Sequence, residues 1–185
     1  DLVALHSGNM GLKQGLEHIV EAARLAPPGV RFVLMGDGSQ RAELERLGAG
    51  VPALTFLPPA DSADFPDVLA AADVLLVNER ASAVDMSLPS KLTSYFSAGV
   101  PVLAAVPSGG GTAAEVERSG GGLLVAAEDP KALVDALVAL RSDPDLRARL
   151  GAAGRTHART QLSKEVSLRR LTDVLRAAMD GPAPA

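Results

Sequence analysis

The chain has no cysteine and no tryptophan, and only one tyrosine and four phenylalanines among 185 residues. Without thiols it forms neither disulfides nor thiolate metal centres, a composition compatible with a reducing cytosol. At 3% aromatics it offers no stacking platform for nucleic-acid bases. No apolar run approaches the roughly 20 residues that span a bilayer, and no stretch has the pattern of a signal peptide. A basic tract is missing too: 18 Lys+Arg stand against 22 Asp+Glu, a net charge of -4, which argues against a nucleic-acid surface. What is present is ordinary globular composition, 47% hydrophobic and 22% charged, in a length that suits one domain with a sizeable core. The reading gives that domain residues 1–178 and a disordered tail to residues 179–185, rich in Pro and Ala. Because Asp1 leads straight into an apolar strand, the chain is expected to be a piece of a longer protein.

Six short apolar runs read as strands: Leu2–Leu5, Val30–Met35, Ala53–Leu57, Asp73–Val77, Pro101–Val106 and Gly122–Ala126. Their hydrophobicity is continuous rather than alternating, which fits strands covered on both faces of a parallel sheet. Helical patterns lie between them. Leu16, Ile19, Val20 and Ala23 fall on one helix face. Asp64 with Pro66 opens another helix, and Pro89 stands in the first turn of one that Gly99 ends. Thr112 and Glu115 have capping-box spacing before Gly120. Asp129-Pro130 and Asp143-Pro144 are cap-plus-first-position pairs, and Ser163 opens a last helix striped by Leu171, Val174, Leu175 and Ala178. The expected fold is α/β, a Rossmann-like doubly wound parallel sheet of about six strands. Helices after Lys131 have no strand to follow, so they pack on the sheet or reach another domain.

In such a sheet ligands bind beyond the carboxyl ends of the strands. Four bends are candidates there. Ser7–Gly15 carries three glycines and Lys13 before a helix, whose free amides and dipole favour an anion. It is neither G-x-G-x-x-G nor a P-loop, and alone it reads equally as a structural turn. Gly36-Asp37-Gly38-Ser39 reads first as a plain turn. Leu88–Phe96 combines a helix start with Ser90 and Lys91, and Ser108–Thr112 offers unhindered glycine amides. Two lysines at two helix starts suit a diphosphate. The histidines His6, His18 and His157 have no metal-ligand spacing, no nucleophile elbow is present, and Arg147, Arg149, Arg155 and Arg159 read as a solvated helix face.

In this order the segments "SGNMGLKQGLEHIVEAA", "FVLMGDGSQRAELE", "LTFLPPADSADFPDVLAAADVLLVN", "LPSKLTSYFSAGVPVLA" and "GGGTAAEVERSGGGLLVAAEDPKALVDAL" resemble the C-terminal half of glycosyltransferase family 4. These are the "group 1" enzymes of GT-B fold, and the likeness is greatest to bacterial members that build capsular, extracellular or O-antigen polysaccharide. It runs from residue 2 to about residue 178, and its most specific part is PSKL…AG-x-PV.

The resemblance implies a retaining hexosyl or glycosyl transferase that binds a nucleotide-diphosphate-sugar donor, of UDP or GDP type, with no cofactor and no metal in the site. It implies diphosphate contacts from Gly8, Asn9 and Lys13, with Ser90, Lys91, Leu92 and Thr93 supplementing them, and a base against Leu57 and Pro58. The family's glutamate pair is altered: Ser94 stands at the second position, and Asp85 is the acid nearest the first and the one catalytic candidate. Other implied partners are an N-terminal acceptor domain of the same polypeptide, absent from this chain, and an acceptor that is lipid-linked in many members. No nucleic acid is expected. The implied location is cytoplasmic, with peripheral contact at the inner membrane face through the full-length protein. Without its other half the chain is expected to bind nucleotide weakly and transfer no sugar. Two alternatives stay open: a GT-B nucleotide-sugar epimerase, and a catalytically inactive nucleotide-binding domain.

Overall fold

Each apolar run becomes a strand, as expected of segments rich in Val and Leu that pack apolar layers on both sides. A computed structural model describes residues 1–83 and 90–180. The strands are β1 (Leu2–Asn9), β2 (Val30–Asp37), β3 (Leu54–Leu57), β4 (Val74–Asn78), β5 (Val102–Val106) and β6 (Gly122–Ala126). All adjacent pairs run parallel, in the order β3-β2-β1-β4-β5-β6. The chain therefore winds outward in one direction from β1 and in the other from β4, and the switch point lies between them.

The helices are α1 (Glu17–Leu25), α2 (Arg41–Leu47), α3 (Phe65–Ala70), α4 (Lys91–Ala98), α5 (Gly111–Ser119), α6 (Pro130–Ser142), α7 (Pro144–Gln161) and α8 (Lys164–Asp180). Alternation along the strands divides the core in two. Val74 and Leu76 join Ile19, Phe32, Leu44 and Leu137 on the face covered by α1, α2 and α6. Leu75 and Val77 join Leu69, Leu92, Phe96, Val116 and Ala158 on the face of α3, α4, α5 and α7. The two Asp-Pro starts behave as expected: Asp129 accepts from the Ala132 amide at 2.9 Å and Asp143 from Leu146 at 2.7 Å. Ser163 likewise accepts from Val166 at 3.3 Å.

Several local expectations are corrected. Ser7, Gly8 and Asn9 are not turn but strand, paired with Met35, Gly36 and Asp37. The glycines serve close approach here: a Cβ on Gly36 (φ +141°) would stand 1.8 Å from the Gly8 carbonyl oxygen. Gly110, not Thr112, caps α5. Thr112 instead donates to Glu79 at 2.7 Å, and Glu115 meets His157 at 2.6 Å, so both presumptive box residues are taken by tertiary partners. The Asp64 side chain makes no cap bond. Arg155 is not merely solvated, since it donates to the Ala98 carbonyl at the end of α4 (2.7 Å), and Arg147 donates to the Leu140 and Arg141 carbonyls. Pro89 lies outside the described residues, as does the tail 181–185. The stripe on α8 exists but is not covered: Leu171, Val174 and Leu175 are each more than half exposed. Among the described residues no helix is long and apolar enough to cross a membrane.

α7 lies against α4 because Gly151 lets the backbones meet. A Cβ there would stand 2.1 Å from the Gly99 carbonyl oxygen, and backbone on both sides cannot yield. Gly151→Ala is expected to cost about 1–3 kcal/mol, lowering the melting temperature by roughly 3–10 °C. Gly109→Ala, whose Cβ would meet nothing within 4 Å, should change it little in the same thermal melt.

Candidate functional site

β1 and β4 form ladder pairs only at Ala4–Val74 and Leu5–Leu75. Beyond Leu5 they splay, opening a crevice at the carboxyl edge where the strand order reverses. A buried strand amide cannot stay unpaired without cost, and the Ser7 amide finds Tyr95 of α4, donating to its hydroxyl at 2.9 Å. The Ser7 hydroxyl lies 3.0 Å from the same oxygen. Burial pushes the Tyr95 phenol up to about 12, offset in part by Ser7, so it stays a neutral bridge. This contact seats the first turn of α4 over the end of β1.

Lys91 begins that helix. Its ammonium nitrogen lies 3.8 Å from where a Cβ on Gly8 would stand, directly over the end of β1. Burial draws the ammonium down from its usual value to about 8, against a smaller opposing effect of the Glu79 carboxylate. Glu79 is itself buried at the end of β4, bonded to Thr112. His6, fully buried beneath, is held well below its ordinary value, first by burial and next by the Lys91 charge. Backbone groups of Asn9 and Leu76 oppose this weakly, yet neither ring nitrogen has a well-aligned hydrogen-bond partner among the described residues. The crevice floor thus holds a cation, a carboxylate and a neutral imidazole.

Lys13 sits in a 3-10 turn (Leu12–Gln14) on the adjacent strand exit, with its side chain exposed. The turn touches β4's exit, where the Arg80 amide donates to the Lys13 carbonyl at 3.1 Å. Both lysines therefore lie on one edge of the sheet, after neighbouring strands. Gly8 and Asn9 are exposed at the end of β1, and Ser90 and Thr93 at the start of α4. Ser94 is half-buried, and Leu92 is in the core, leaving only its backbone for a ligand. Leu57 and Pro58 are exposed after β3. A cleft of about 290 Å³ opens between the β1–β2 end and that loop, but its far wall is Pro59, Ala60 and Phe65. Gly109 and Gly111 leave open space before α5. Asp85 lies outside the described residues. A larger cleft of about 520 Å³, around Pro27, Arg31 and Pro52, opens at the opposite, amino edge and is remote from these groups. Among the described residues no three His, Asp or Glu side chains gather as a metal site requires.

Sequence reading passed over Glu79, Arg80 and Tyr95. Only position could have flagged the first two, as charged residues directly after β4.

Burial of Lys91 has a thermodynamic sign. The native ammonium deprotonates near pH 8 and the unfolded one near 10.5. Between these values the unfolded chain holds more protons, so this group makes stability rise with pH. Lys91→Met is expected to raise the melting temperature at pH 7 by roughly 3–6 °C, and the gap to wild type should shrink between pH 8 and 10.5. A variant no more stable than wild type at pH 7 would contradict this account of Lys91.

The profile of the family described as "Glycosyl transferases group 1" matches residues 1–143. A colanic acid biosynthesis glycosyl transferase (WcaI) of Escherichia coli K12 is 38% identical over 100 residues, 52% of this chain and 25% of that protein. A GDP-mannose-dependent monoacylated α-(1-6)-phosphatidylinositol monomannoside mannosyltransferase of Corynebacterium glutamicum is 33% identical over 156 residues, 82% of this chain and 40% of that protein. The chain thus spans a quarter to two-fifths of these relatives. Among solved structures, Anabaena HepE in complex with UDP-glucose superposes with a TM-score of 0.81 at 20% identity, over 96% of this chain and 49% of that one. Sucrose-phosphate synthase of Thermosynechococcus elongatus gives 0.77 at 26% identity, over 96% and 46%. The fold is that of GT-B glycosyltransferases, and with the family profile covering most of its length, the chain belongs to the group 1 glycosyltransferases.

Proposed function

We propose that the chain is the donor-binding half of a retaining glycosyl transferase and holds the diphosphate of a nucleotide-sugar in the β1–β4 crevice. The observation that carries this is the Lys91 ammonium poised above Gly8, at the switch point and at a helix start, with Lys13 on the neighbouring exit. Gly8 and Asn9 would present backbone and amide to the phosphates, Ser90 to Thr93 would offer the α4 terminus, and the loop from Leu57 and Pro58 to Phe65 would receive the base. Ser94 is the group on α4 within the altered glutamate motif.

Chemically, an acceptor hydroxyl attacks the sugar carbon from the face that the diphosphate leaves, the bond to the diphosphate breaks with its electron pair going to the departing phosphate oxygen, and that oxygen takes up the hydroxyl proton. Fixed positive groups aimed at that oxygen stabilise charge as it develops, and do so most strongly where water is excluded. Lys91 and Lys13 are the two full charges available for this, and the reading needs no cofactor. HepE binds UDP and UDP-glucose while the Corynebacterium relative is GDP-mannose-dependent, so either base is a candidate. The same relative acts on a phosphatidylinositol mannoside, which supports polysaccharide or lipid-linked sugar synthesis at the cytoplasmic membrane face, with the acceptor held by an N-terminal domain.

Thermal-shift titration tests the site. At about ten times its Kd, UDP or GDP should raise the wild-type melting temperature by roughly 3–5 °C. Lys13→Ala and Lys91→Ala should each lose most of that response, and wild-type binding should weaken as Lys91 loses its proton above pH 8. No stabilisation by either nucleotide, or variants that respond as wild type does, would overturn the assignment. The 185-residue chain alone is expected to transfer no sugar, since it covers only a quarter to two-fifths of its transferase relatives.

A further inference from the structure

We propose that Arg80 is a positioning residue, one that fixes the Lys13 turn to the exit of β4 and so sets where the second ammonium reaches. The proposal rests on the crevice reading above. Past Leu5 no ladder joins β1 to β4, so the turn that follows β1 needs another tie across the gap. Residues at the end of β4 provide it. The Arg80 Nε donates to the Leu12 carbonyl at 2.6 Å, and its backbone amide to the Lys13 carbonyl at 3.1 Å. A terminal guanidinium nitrogen pairs with Glu17 in the first turn of α1. Asn78 Nδ2 donates to the Gly15 carbonyl at 3.2 Å.

The turn is shaped for this. Gly15 ends it in the left-handed region (φ +56°), and a Cβ there would stand 3.2 Å from Arg80 Cγ. On its far side, the chain after Arg80 is held by Glu128, whose carboxylate accepts from the Ala81 amide at 3.1 Å. Glu128 adopts φ +60°, a conformation that costs a non-glycine residue energy and persists only where its surroundings enforce it. The guanidinium of Arg80 is committed in two directions, to a carbonyl and to a carboxylate. These two bonds hold it against the turn, and its proposed influence on an anion passes through Lys13. A lysine has one compact head and cannot hold both partners at once.

Calorimetric titration of UDP and GDP into wild type, Arg80→Gln, Arg80→Lys, Lys13→Ala and the Arg80→Gln/Lys13→Ala pair tests this. Arg80→Gln should weaken binding about fivefold to tenfold and Arg80→Lys should recover part of it. In the Lys13→Ala background, Arg80→Gln should cost little more, because coupled residues are not additive. An equal loss in both backgrounds overturns the proposal. Amide hydrogen exchange on the unliganded chain is the independent arm: Arg80→Gln should speed exchange at Gln14, Gly15 and His18, but not in β5. If neither nucleotide binds wild type, the crevice reading fails, yet unchanged exchange alone would overturn the positioning role. Should Arg80→Gln not fold, Glu17→Gln, which removes one arm, should give the same exchange pattern in weaker form, and its absence counts against the proposal.

Discussion

After Leu5 the two central strands stop pairing, and the Ser7 amide must find an acceptor other than the sheet. Tyr95 supplies it. Much else follows from this single buried bond. It draws α4 across the open end of β1, and Lys91 at the head of α4 lies above Gly8. A residue with a Cβ at position 8 would be strained at φ +112°, and one at position 36 would collide with the strand itself. The two glycines and the tyrosine therefore act together: the first pair lets β1 and β2 run close, and the hydroxyl lets β1 and β4 run apart.

The crevice is made at some expense to stability. A cation that is mostly buried, a carboxylate beside it and an imidazole without well-aligned partners are groups that a core built for stability alone would replace with apolar ones. The arrangement accords with the proposed diphosphate, whose negative charge would offset the burial of Lys91 and raise its affinity for protons. Glu79 opposes the loss of the lysine's charge, and its own bond to Thr112 fixes the start of α5 beside the same opening. Proteins commonly give up stability at the positions where they work.

The sheet was legible because a strand buried on both faces must be apolar at every residue, and Val74–Asn78 and Val102–Val106 show this almost without interruption. Asp129 and Asp143 were legible as caps because a carboxylate before proline has a local partner, the amide three residues on. Thr112 and Glu115 obeyed the same local rule and misled, for their side chains are satisfied by Glu79 and His157, residues 33 and 42 positions away. Glycine was ambiguous in the same manner. At Gly8 it signals close packing of strands, whereas at Gly15 it signals a true turn, and spacing alone does not separate the two. Of the proposed site, strand-to-helix order put both lysines on the carboxyl edge of the sheet, where they lie. Nothing local marks Tyr95 as a partner of the Ser7 amide, or Arg80, whose partners are separated from it by 63 and 68 residues.

The arginines complete the physical division of labour. Arg155, Arg147, Arg41 and Arg80 each send their planar donors to backbone carbonyls, at Ala98, at Leu140, at Gly36 and Leu57, and at Leu12. Ala98 and Leu140 lie in the last turns of α4 and α6, where the helix dipole leaves negative charge unmatched. A rigid fork that stays protonated at any working pH suits a permanent structural bond. Lysine suits the opposite task, because a single mobile charge can meet a ligand that comes and goes, and burial can tune its proton affinity toward neutrality. The sequence reading treated the α7 arginines as surface decoration and the two lysines as the site. The geometry explains why charge count could not tell them apart: what separates them is whether a carbonyl lies within reach, and that is decided by the fold.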